Sequence, residues 1–267
     1  MNQSKLTLVT LALLGVASPV LAHDTWLAPD KFKAAPGATV TLDMTSGMEF
    51  PKLDAGPKPE RVETAKCRLS GDTFDLEQPA GAANSLQFKA NLRQEGLATL
   101  WVKLKPRALE LKPDEVQHYL DEVDASPALR REWHDMKEKR WRESYTKHTK
   151  TFVRVGEAPN DRSWAEPVGA ALEIVPEKDP MTIGAGEVLP VRVLKNGAPF
   201  SDFSINAVRE GETKGETRRT DPAGRAAFRI SGPGRLMIRG TEVRKSALPD
   251  VEWESDFATL TLEVVAK

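Results

Sequence analysis

Apolar residues along most of this chain recur at every second position. Val40, Leu42 and Met44 follow the Pro36-Gly37 turn, and Leu86, Phe88 and Ala90 form a second inward set. Ala98, Leu100, Val102 and Leu104 form a third. Period-two alternation bounded by Gly, Pro and Asp marks short strands with one face turned to a core. Beyond residue 170 the pattern returns, predicting strands at 172–175, 189–194, 203–208, 226–230, 236–239 and 260–265. Asn196-Gly197 is a hairpin turn signal between the second and third of these. The stretch 220–225 (TDPAGR) and Pro233-Gly234 are further turns. The expectation is a β-sandwich in each half.

The alternation breaks between about 106 and 150, where a helical hairpin is expected. Pro113-Asp114-Glu115 opens a segment with Val116, Tyr119, Leu120 and Val123 at helical spacing. Ser126-Pro127 is a second helix start, with Ser as N-cap and Pro in the first turn. Leu129, Trp133, Met136, Trp141 and Tyr145 then read as one apolar stripe. The charges of 130–150 read as a solvated helix face with opposite signs three and four residues apart. Thr151 to Val155 returns to strand, and the polar stretch 156–167 reads as an interdomain linker.

The extreme N-terminus is different again. Lys5 precedes an apolar run at 6–16, and Val20 and Ala22 occupy the small-residue positions before a cleavage point. Residues 1–22 read as a secretory signal peptide, so the mature chain is expected to begin at His23 in a periplasmic or secreted location. The run is broken by Pro19 and is too short for a membrane anchor. Of 267 residues, 245 remain, enough for two domains, placed at 23–160 and 161–267. Net charge is −1 and becomes −2 once Lys5 is removed, which does not favour nucleic acid as a partner. A single cysteine excludes an intrachain disulfide, and the alternation Ala65, Cys67, Leu69 places that thiol on the inner face of a strand.

Three stretches together carry a resemblance: His23 to Pro29 (HDTWLAP), 140–156 (RWRESYTKHTKTFVRVG), and the pair 220–230 (TDPAGRAAFRI) with 253–264 (WESDFATLTLEV). The chain resembles an exported bacterial family of unknown function once labelled as a nickel-uptake transporter component. Its C-terminal half is also similar to transthyretin-like and collagen-binding-B-type sandwiches. The resemblance implies a mainly β protein of two Ig-like or transthyretin-like sandwiches, with the helical hairpin inserted in the first. It also implies a link to transition metals. Fold alone does not settle activity.

Phosphate loops, nucleophile elbows, zinc-protease helices and paired-cysteine sites are all missing from the sequence. What remains is histidine. Freed by cleavage, His23 would offer its α-amine and its ring to one ion, and a second histidine would complete a three-nitrogen histidine brace. Nitrogen donors in such a set suit Cu(II) best and Ni(II) next. The second ligand is open among His118, His134 and His148. His134 and His148 would lie about 21 Å apart on one helix, and an antiparallel hairpin would let His118 and His134 face each other. His148 is favoured for its place in the 140–156 segment. The leading expectation is thus a non-enzymatic metal-handling protein using His23 and His148, with a metal ion and a membrane transporter or receptor as partners. The alternatives are a metal-free binding or adhesion-type module and a copper-dependent oxidoreductase.

Overall fold

The structure is a computed structural model, and it describes residues 23–212 and 214–266. The signal peptide expected at 1–22 lies outside the described residues.

The first half holds β1 (Asp24–Pro29), β2 (Lys33–Ala34), β3 (Ala38–Gly47), β4 (Val62–Leu69) and β5 (Asp72–Asp75). It continues with β6 (Ala80–Gly81), β7 (Leu86–Leu92), β8 (Gly96–Leu104) and β9 (Arg107–Leu111). Two helices follow, α1 (Pro113–Glu122) and α2 (Pro127–Asp135), and then the long β10 (Trp141–Val155). The second half contributes β11 (Leu172–Pro176), β12 (Val188–Lys195), β13 (Ala198–Pro199) and β14 (Ser204–Arg209). It ends with β15 (Glu216–Arg219), β16 (Arg225–Arg229), β17 (Gly234–Lys245) and β18 (Trp253–Val264).

The fold is mainly β and sandwich-like, and its two halves share one large sheet. That sheet has ten strands, with β15-β14-β17-β18-β10-β8-β4-β5 as its main path. The halves are joined where β10 pairs in parallel with β18, from Glu143 opposite Trp253 to Thr151 opposite Thr261. A four-stranded sheet β1-β3-β7-β6 covers one face, and β11-β12-β13 with β16 covers the other. Strand alternation in β10 shows the division. Val153 and Val155 enter the core with Leu42, Phe88 and Leu100, whereas Phe152 enters the core with Ile174, Val191 and Leu260. Cys67 is fully buried in the first of these cores.

The expected turns are present. Asn196 and Gly197 both have positive φ (49° and 80°) and join β12 to β13 as a two-residue hairpin. In the 221–224 turn, Asp221 Oδ1 accepts from the amides of Ala223 and Arg225, and Gly224 takes φ 73°.

The helical stretch needs correction at both ends. Residues Arg107–Leu111 are strand, and the second helix stops at Asp135. Its start is as expected, with Ser126 Oγ accepting from the Leu129 amide at 3.2 Å. Its end is held by Lys139, whose Nζ donates to the carbonyls of Trp133 and His134. Trp141, Tyr145 and His148 therefore lie on β10 and not on a helix. Tertiary packing overrides the helical spacing here. Trp141 stacks on Trp253 of β18 at 4.6 Å between ring centroids, and meets Tyr119 and Trp133 edge-on. The β-branched Thr146, Thr149, Thr151, Val153 and Val155 then suit an extended chain buried on both faces.

Candidate functional site

Because successive side chains of a strand point to opposite faces, β10 divides its polar residues into two environments. Lys147 goes to the face covered by β1. Its Nζ donates to the His23 carbonyl at 2.6 Å and to Thr25 Oγ1 at 2.8 Å. His148 goes to the other face. Its ring is 6% exposed, and Nε2 lies 2.9 Å from Asp256 Oδ1 on β18. The structure thus places His23 and His148 on opposite sides of one sheet and does not bring them together. The remaining histidines are exposed on the helices, each beside an acid of its own helix: His118 at 3.5 Å from Glu122, His134 at 3.0 Å from Asp135. Among the described residues no group of three or more His, Cys, Asp or Glu is placed to hold a metal ion. The donor set therefore does not fit a brace built from His23 and His148.

The His148 face carries a connected polar network. Asp256 also accepts from Arg244 at 2.8 Å, and Arg244 donates to Glu242 at 2.6 Å. Glu242 is paired in turn with Lys195 of β12. Although burial alone would raise the Asp256 carboxyl, its bonds to His148 and Arg244 outweigh that and hold it below the usual range. An ionised Asp256 only accepts, so Nε2 of His148 is the donor in this bond. Its Nδ1 is buried and has no hydrogen-bond partner.

Beside His148 lies a cavity of about 280 Å³, walled by β4, β8, β10 and the segment 168–174. Trp101, Leu172, Ile174 and Ala258 are its apolar surfaces. Its polar wall is the buried pair Lys150–Glu173, at 2.7 Å and with both side chains under a tenth exposed. Burial lowers the Lys150 amine, which Glu173 partly restores. Glu173, despite burial, is held below the usual carboxylate range by Lys150 and by backbone amides. Those amides belong to Val168, Gly169 and Ala170, so Glu173 fixes the loop that closes one side of the cavity. Lys66 and Lys103 stand at the cavity wall, paired with Asp75 and Glu63. Neither Trp101 nor the Lys150–Glu173 pair was singled out by the sequence, since these residues come together only through long-range pairing.

On the opposite face, Glu143 is fully buried and accepts from Tyr119 Oη and Trp141 Nε1, both at 2.8 Å, and from Ser255. Burial raises its carboxyl above the ordinary value. The Cys67 thiol is pushed up to about 12 by burial.

No curated protein matches this chain. Among solved structures it is similar to the D0-D1 domain of intimin, at 13% identity and TM-score 0.23, covering 90% of this chain and 97% of that one. It is also similar to the adhesin InvE of Yersinia pseudotuberculosis (10%, TM-score 0.23, 91% and 58% covered). For the Escherichia coli adhesin FdeC the figures are 13%, TM-score 0.27, and 91% and 65% covered. TM-scores this low carry no inference about what the chain does. Among the described residues no helix is long and apolar enough to cross a membrane. The model of the family described as a domain of unknown function (DUF4198) matches residues 20–241, most of the sequence, and the chain belongs to that family.

Proposed function

We propose that this chain is an exported, periplasmic binding module that takes a small polar organic molecule into the cavity beside His148. The observation that carries this reading is the buried Lys150–Glu173 pair on the wall of a 280 Å³ cavity whose other surfaces are apolar. A buried ion pair is a weak source of stability, because desolvation offsets most of its attraction. A concave apolar pocket with few convergent polar groups is the ordinary form of a ligand site. An ammonium has three donors, and the structure shows only the Lys150 bond to Glu173 Oε1. The cavity has cations at Lys66, Lys103 and Lys150 and anions at Glu63 and Glu173, so neither sign dominates. Its fit is to a neutral or zwitterionic molecule with hydroxyl or carbonyl oxygens for Lys150 and an apolar face for Trp101.

The test is a ligand-observed NMR screen of monosaccharides, amino acids and small hydroxy acids, followed by titration of the hits. The expected hits shift the Trp101 indole resonance and lose affinity in Trp101→Ala. A screen with no saturable hit, or hits indifferent to Trp101, would refute the reading. Metal handling through His23 gains no support from the placement of His148.

A further inference from the structure

The face of β10 opposite the cavity has its own cluster of charge. Lys147 Nζ sits 5.7 Å from the centroid of the Tyr145 ring and 5.4 Å from that of Phe257. Arg61 lies over the same Tyr145 ring, its Cζ 5.6 Å from the centroid. Arg107 of β9 is directly opposite Tyr145 in the antiparallel register. Three cations thus converge on one aromatic residue beside the start of β1.

Several buried or partly buried cations elsewhere have carboxylate partners: Arg142 has Glu252, Lys150 has Glu173, Arg154 has Asp179 and Arg239 has Asp24. The partly buried Arg61 and Lys147 and the exposed Arg107 have none among the described residues. Lys147 is satisfied only by the neutral oxygens of His23 and Thr25. Arg61 donates through Nη2 to the Lys105 carbonyl at 2.7 Å, and its Nε is buried with no partner. Burial, then Arg61 and Arg107, lower the Lys147 amine to about 7. Uncompensated cations held together raise one another's energy, and an anion placed among them removes that cost. Two guanidinium forks and an ammonium are also the donors that recognise oxyanions.

We propose that Arg61, Arg107 and Lys147 form a binding site for a small doubly charged oxyanion, beside β9, β10 and the first residues of β1. The site is distinct from the cavity beside His148, which opens on the other face of the sheet.

The experiment is calorimetric titration of the full chain with sulfate and with malonate, against chloride at matched ionic strength. Saturable binding of at least one divalent anion is expected, and whichever of the two binds tighter decides between a tetrahedral and a dicarboxylate ligand. Arg107→Gln, at an exposed position, should keep the fold and weaken binding roughly ten-fold, the scale of one charged hydrogen bond. Lys147→Met should weaken it by a similar factor, with folding checked by circular dichroism. Trp101→Ala, in the other site, should leave anion binding unchanged. Failure of both anions to saturate, or equal affinity in wild type and Arg107→Gln, would overturn the proposal.

Discussion

Replacing Lys147 by Met should change the pH dependence of stability in a direction fixed by the environment of the amine. In the folded protein burial and two arginines bring the amine to about 7, against 10.5 for an ordinary lysine. Between those values the unfolded chain binds a proton that the folded chain releases. Stability contributed by this group therefore rises with pH through that window, and the penalty is complete below about pH 7. The full difference corresponds to at most about 5 kcal/mol. Lys147 is half-buried, so solvent reduces this, and a net effect of about 1–3 kcal/mol is expected. The assay is urea unfolding of wild type and Lys147→Met in chloride buffer at several pH values from about 6 to 9.5. Subtracting the two profiles cancels the other titrating groups. The wild type should gain on the variant as pH rises, and added sulfate should flatten the difference by stabilising the charged amine. A difference that is flat with pH, or falls, would refute the description of Lys147 as a desolvated cation without a counter-charge.

Three further outcomes follow from the same geometry. Glu143→Ala should leave Tyr119 Oη, Trp141 Nε1 and Ser255 Oγ without their buried acceptor, costing about 2–4 kcal/mol, read as a lower midpoint in thermal or urea unfolding. Cys67 should resist thiol reagents in the native protein and react on unfolding, because burial raises its thiol to about 12; rapid native labelling would contradict its placement. In a chain beginning at His23, His148→Ala should leave Cu(II) affinity unchanged in a competition titration, since the two residues lie on opposite faces of β10; a large loss would require a different arrangement.

The strands were legible where one face is buried and the other wet. Val40-Leu42-Met44 in β3 and Leu86-Phe88-Ala90 in β7 are such cases, and period two marks them without ambiguity. The start of α2 was legible because its cap is local, a Ser and a Pro in sequence. β10 was not. Both of its faces are covered, so Glu143, His148 and Lys150 are buried polar residues in a stretch whose charge pattern resembles a solvated helix. The spacing of Trp133, Trp141 and Tyr145 reinforced that resemblance, and long-range contacts decide for strand: pairing with β9 and β18, and the stack of Trp141 on Trp253, 112 positions away in sequence. The same fact hid the candidate site. Misplacing His148 on a helix left its relation to His23 open, whereas the alternation of a strand separates it from Lys147 at once. The cavity is assembled from five separated segments, and nothing local marks Trp101 or Glu173 as neighbours.

The cavity walled by Trp101 and the Lys150–Glu173 pair is the proposed ligand site of this protein. Its decisive experiment titrates a hit from the small-molecule screen into the wild type and into Lys150→Met, with stability of the variant verified by unfolding. Loss of a charged hydrogen bond to Lys150 should weaken binding roughly ten-fold or more, while Arg107→Gln on the opposite face leaves it unchanged. Equal affinity in wild type and Lys150→Met would contradict the claim, leaving the buried pair as a fastening for the 168–170 loop.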